Sequence, residues 1–166
     1  MFLHFSIVPV YLIDQRKHKQ YKNGNIGYLW RIDSGDGRYY LSGAALSAVL
    51  GAMCSLGYAE YTGSGFSCKD GSPGDSVSHL NGENGDFRYI AINNRHMNEL
   101  TYTSHKHFDW DKNVGFLNAL YKFGYKLFGS NPVKIKENKL LPHSKSWSGH
   151  NNHVHLHNFN PNLEDI

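Results

Sequence analysis

Runs of apolar residues and their spacing divide the chain into short elements. Residues 5–13 (FSIVPVYLI) are apolar and β-branched and predict a strand; Pro9, which has no N–H to donate, places it at a sheet edge. Residues 26–32 (IGYLWRI) predict another, with the turn-forming KNGN before it. From 41 to 58 the period changes. Ala44, Ala45, Val49, Ala52 and Met53 make an apolar stripe at helical spacing, and Gly57 stands where a C-terminal cap falls. TGSGFSCKDGSPGDS (62–76) reads as loop, and 86–92 (DFRYIAI) alternates as a strand. A second helix is expected through VGFLNALYKFGYKLF (114–128), capped by Asp109 or Asp111 and ended by GSNP. VKI (133–135) predicts a short strand, and HVHLHNF (153–159) alternates again. Strands and helices in mixed order predict an α+β fold, with a small central antiparallel sheet and flanking helices. No repeat or linker splits the chain, so 1–166 is expected to be a single domain.

Composition narrows the class. With 40% hydrophobic and 19% charged residues the chain reads as globular. Net charge is +3 and diffuse, with no basic run beyond Arg16-Lys17-His18-Lys19. That argues against a nucleic-acid groove, although a weak positive field suits an anionic polymer such as a cell wall. Cys54 and Cys68 are too few for a four-cysteine zinc site and are not spaced as CxxC. They pair in an oxidising compartment, or Cys54 is buried on a helix face. The apolar start is shorter than the roughly 20 residues of a membrane-spanning helix. It carries neither a basic leader nor a small-residue cleavage site, so neither a transmembrane segment nor a signal peptide is expected.

The chemistry concentrates near the end, where SGHNNHVHLH places four of the 11 histidines within eight residues. In a strand, His153, His155 and His157 share one face, with neighbours about 6.6 Å apart along the backbone. That pattern is a metal site or an exposed polar face. Zinc requires further protein ligands, and SHLNGENGDFRY (78–89) can supply them. His79 and Asp86 flank three turn-forming residues, Gly82, Asn84 and Gly85, so the segment can fold back on itself. The alternatives are a plain hairpin with an incidental histidine, or a calcium loop that lacks its twelfth-position acid. DSGDG (33–37) reads as a turn. Arg88 shares a face with Asp86 and either grips a substrate carboxylate or pairs with an acidic neighbour. Trp147 and Trp110 either wall a cleft or pack in the core. His96, His105 and His107 form a second metal cluster or a polar loop before a helix. Ser76, Ser78 and Ser148 lack a G-x-S-x-G elbow, which argues against a serine hydrolase.

Together, SHLNGENGD and HNNHVHL resemble the LAS metallopeptidases, the group that includes D-alanyl-D-alanine peptidases, lysostaphin-type enzymes and the hedgehog fold. Within that group the chain is most similar to the penicillin-insensitive murein endopeptidases. Those carry Ser-His-x-x-Gly-x-x-x-Asp, then His-x-x-His-x-His near the C-terminus. Ser78, His79, Gly82 and Asp86 match the first segment; His150, His153 and His155 match the second. The resemblance implies a LAS-like fold and one zinc ion held by His79, Asp86 and His155, with water in the fourth position. It implies His153 as the catalytic base or electrostatic partner, and His150 and Ser78 in the same cleft. The implied activity is hydrolysis of amide bonds in peptidoglycan stem peptides or cross-links, at a periplasmic or secreted site. An exported antibacterial effector, with a cognate immunity protein as partner, fits this reading. The alternatives are a D-Ala-D-Ala carboxypeptidase or dipeptidase, or a non-catalytic zinc-binding module; a phosphoesterase or nuclease fits less well. The chain departs from the pattern at three places. Asn152 stands where many relatives have a Glu base, so His153 or a carboxylate such as Glu83 must serve. Ser76 replaces a histidine, and His157 is an extra ring that competes with His155.

Overall fold

The computed structural model describes residues 11–161. In chain order the elements are β1 Leu12–Asp14, β2 Gln20–Asn23, β3 Ile26–Ile32, β4 Tyr40–Ser42, α1 Gly43–Ser55, β5 Ala59–Gly65 and β6 Gly85–Arg88. They continue with α2 Trp110–Lys122, β7 Tyr125–Ser130, β8 Ser144–Ser146 and β9 His153–Phe159. β1 and β4 pair as a separate ribbon. The other strands form one seven-stranded sheet in the order β2-β3-β5-β6-β9-β7-β8. The fold is α+β, but the sheet is larger than the small one expected, and it is mixed. β3–β5 and β7–β8 run parallel, and the remaining pairs run antiparallel. The physical reason is α1, which returns the chain across the sheet so that β5 enters in the same direction as β3.

Local chemistry sets most boundaries. Gly24 (φ 59°) opens the two-residue turn between β2 and β3. Ser42 caps α1 by accepting from the Ala45 N–H at 3.2 Å, and Gly57 follows its C-terminus at φ 79°. Asp109 caps α2 through the Lys112 N–H. That helix stops at Lys122, six residues short of the expected end. Gly124 adopts φ 119°, and the chain turns into β7, whose Tyr125 and Phe128 are fully buried. β5 falls largely on the stretch expected to be loop. Its glycines have a packing reason, since a Cβ at Gly63 would press on Phe66 and Ile32. Residues 134–136 form a 3-10 turn in place of the expected strand, and the extended run after Asp86 ends at Arg88. Most of the strand expected over 5–13 lies outside the described residues.

The core lies on one face of the sheet. Trp30, Tyr61, Phe87, Val154 and Leu156 point into it, against Val49 and Met53 of α1 and Phe116, Leu117 and Leu120 of α2. Phe87 meets Phe116 edge-on at 5.3 Å and stacks on Trp30 at 5.7 Å. Trp110 packs against this core. Cys54 and Cys68 are both free, and Cys54 packs at the core's edge. Among the described residues, no helix is long and apolar enough to cross a membrane.

Candidate metal centre

The opposite face of the sheet carries the polar residues. β6 and β9 pair antiparallel with Asp86 opposite His155 and Arg88 opposite His153. Side chains alternate along each strand, so Phe87 and Val154 enter the core while Asp86, His153, His155 and His157 share the other face. His155 Nδ1 lies 2.8 Å from Asp86 Oδ1.

His79 reaches the pair from the loop before β6. Ser67 staples that loop: its hydroxyl donates to the His79 carbonyl and accepts from the Gly82 N–H at 2.6 Å. The Asn84 amide donates to the Ser78 carbonyl at 2.7 Å. Gly82 sits at φ 69°, and a Cβ there would overlap the backbone of Leu41 and Ser42. The glycine of the SHLNG segment therefore has two reasons to be glycine. The loop delivers His79 Nε2 to 3.2 Å from His155 Nδ1 and 3.3 Å from Asp86 Oδ1.

Three donor atoms thus form a triangle with edges of 2.8, 3.2 and 3.3 Å. Zinc–nitrogen bonds of about 2.05 Å in a tetrahedron give donor–donor edges of about 3.3 Å. His79 and His155 are buried, and the group can hold a metal ion. The outer ring nitrogens are also placed. His79 Nδ1 lies 3.1 Å from the Phe66 carbonyl, which accepts its proton and leaves Nε2 with a free lone pair. His155 Nε2 lies 3.1 Å from Ser78 Oγ, a hydroxyl that can accept the Nε2 proton when Nδ1 turns its lone pair to a metal. Without a metal, burial by itself would raise the Asp86 carboxyl, but hydrogen bonds from His155 and His79 outweigh it and hold the group well below the ordinary carboxylate range; a bound ion would take the place of those protons. The donor set is two imidazole nitrogens and one carboxylate oxygen.

His153 stands one step away, with Nε2 3.9 Å from Asp86 Oδ2. Its Nδ1 lies 2.7 Å from the Asn152 amide oxygen. Burial pushes the His153 imidazole below its ordinary value, against the pull of Asp86. The His150 ring packs on His153 at 4.7 Å, and its carbonyl accepts from the buried Tyr89 hydroxyl at 2.8 Å. Two cavities meet at Arg38, Asp86 and His153. One, of ≈ 360 Å³, is lined by Ser78, Trp147 and His150; the other, of ≈ 340 Å³, by Asp33, Arg88 and Asn152. A third cavity of ≈ 370 Å³, at Leu56, Tyr58 and Ile90, is not lined by any of these histidines.

The remaining candidates separate from the triangle. Arg88 forms an ion pair with Asp33, the acidic-neighbour reading, while its Nε finds no partner among the described residues. His157 shares the face, but its ring lies beside Trp147 at 5.6 Å. His155, not His157, supplies the third donor atom. Glu83 is exposed and lines neither cavity at the triangle. His96 is fully buried and ties β5 to the following loop; it accepts from the Ala91 N–H at 3.1 Å and lies 2.9 Å from the Glu60 carbonyl. Among the described residues His79, Asp86 and His155 are the one cluster suited to a metal, so His96, His105 and His107 do not form a second. Sequence reasoning missed Arg38, which lies 3.4 Å from His79 Nδ1 and lines both cavities. Its sequence surroundings carry no motif that singles it out. No protein-family model matches the chain, and no curated protein matches it.

Proposed function

We infer that the protein is a zinc-dependent peptidase of the LAS type that hydrolyses amide bonds in peptidoglycan stem peptides or their cross-links. The triangle of His79 Nε2, Asp86 Oδ1 and His155 Nδ1, each imidazole oriented by an outer acceptor, is the observation that carries this reading. Two nitrogens and one oxygen, with no thiolate, suit a catalytic rather than a structural zinc site. Zinc bound there supplies Lewis acidity and lowers the pKa of water from 15.7 to about 7.

The chain's own residues account for the proton. The Nδ1–H of His153 is donated to Asn152, so Nε2 presents a lone pair to the cleft. That nitrogen takes a proton as water adds to the scissile carbonyl. Asp86 Oδ2, 3.9 Å away, stabilises the resulting imidazolium. The same proton then passes to the leaving amine as the C–N bond breaks, which completes the hydrolysis. Asn152, in the place where relatives carry a Glu, acts here by fixing a tautomer. Two cavities share His153 and Asp86 in their walls, and that room suits a chain that continues past the scissile bond, which favours cutting within cross-links over trimming ends.

The test is metal analysis of the purified protein together with mass spectrometry of digested murein. Equimolar zinc and new amine and carboxyl termini within the peptide cross-links are the expected result. Zinc at full occupancy with muropeptides left intact would replace this reading with a zinc-binding interaction module.

A further inference from the structure

The geometry points to a substrate subsite between Trp147 and the Asp75–Ser78 segment, which takes the backbone and apolar side chain of the peptide residue next to the scissile bond. This rests on the peptidase reading above. Trp147 is held in place by a gap in β7: a Cβ at Gly129 would overlap the indole ring. The ring lies 5.5 Å from His155 and 5.5 Å from His150, so it borders the metal ligands and the cleft together. It is half-buried and forms one wall of the ≈ 360 Å³ cavity that also contains Asp86 and His153.

Asp75, Ser76, Val77 and Ser78 also line that cavity. Val77 is 95% exposed, the most exposed of the large apolar side chains among the described residues. A valine with that much surface in water, on the rim of a cavity lined by an indole, gains from an apolar group placed between them. Ser76 and Asp75 offer acceptors for peptide N–H groups, and Asp75 has no ion-pair partner among the described residues. Two apolar surfaces with acceptors beside them match a peptide strand bearing an apolar side chain.

The experiment compares zinc-loaded wild type with Trp147→Ala, Gly129→Ala and Val77→Ser. Turnover is followed on the cross-linked dimer of disaccharide tetrapeptides, and calorimetry measures binding of the uncross-linked disaccharide tetrapeptide. Trp147→Ala should raise KM and weaken tetrapeptide binding about tenfold, with kcat within about threefold of wild type. Gly129→Ala should act in the same direction by displacing the indole, and Val77→Ser more weakly. KM and affinity both within twofold of wild type in Trp147→Ala, at equal zinc content, would overturn the subsite, as would a fall in kcat alone. If Trp147→Ala loses its zinc, Val77→Ser decides: a raised KM supports the subsite and an unchanged one overturns it. A wild type that binds the tetrapeptide through Trp147 but cuts nothing would remove the peptidase reading and keep the subsite. One that neither binds nor cuts would remove both.

Discussion

Asp86 and His155 are register partners on neighbouring antiparallel strands, and their side chains meet at 2.8 Å. The pairing of β6 with β9 therefore builds two-thirds of the donor triangle with no help from loops. Asp86→Asn preserves the shape and removes the charge. Zinc affinity should fall more than 100-fold, above the 10–100-fold typical of outer-shell changes. Competition against a chromophoric chelator measures it, and affinity within tenfold of wild type would exclude Asp86 as a ligand.

The outer acceptors predict a smaller effect. Ser78→Ala leaves His155 Nε2 without its partner at 3.1 Å and should weaken zinc binding about tenfold, with the fold intact. The same chelator titration, alongside circular dichroism, separates this from unfolding.

His153 makes none of the three ligand contacts. His153→Ala should keep equimolar zinc and lose about 10²–10⁴-fold in kcat on murein fragments. Loss of metal in this variant would move His153 from the proton path into the ligand set.

Gly82→Ala tests how His79 is delivered. A left-handed φ in a residue with a Cβ costs roughly 1–3 kcal/mol, before any overlap with Leu41 and Ser42. The variant should unfold at lower urea and bind zinc more weakly, since the loop that carries His79 must shift.

His96 predicts a pH dependence away from the metal. Burial pushes its imidazole below the ordinary value, so the folded state holds it neutral. The unfolded chain takes up the proton near pH 6.5. Its contribution is therefore full above that pH and is lost as pH falls towards the lower folded-state value. Urea midpoints from pH 8 to 5 should fall more steeply in wild type than in His96→Gln; parallel slopes would refute this.

The parts that were legible in the sequence are those where one residue's chemistry decides the outcome. HVHLHNF alternates because half of it faces the core, and the strand runs over the expected residues, His153–Phe159. Gly57 and Asp109 mark helix ends through their own side chains or their lack of one. The elements misread are those settled by distant contacts. TGSG (62–65) looks like loop until Gly63 is seen beneath Phe66 and Ile32. YKLF continues a helical pattern until Gly124 breaks it and β9 claims the segment as a neighbour. Arg38 lies 41 residues before His79, and only the folded chain brings them together.

Since β6 and β9 each give alternate residues to the apolar interior and to the polar face, slipping either strand by one position would turn Phe87 or Val154 out to water and drive Asp86 or His155 into the interior. Selection for a well-packed protein therefore polices the alignment of the chemical groups as well. Single-residue insertions in these two strands should be lost as insoluble protein, not recovered as soluble but inert variants.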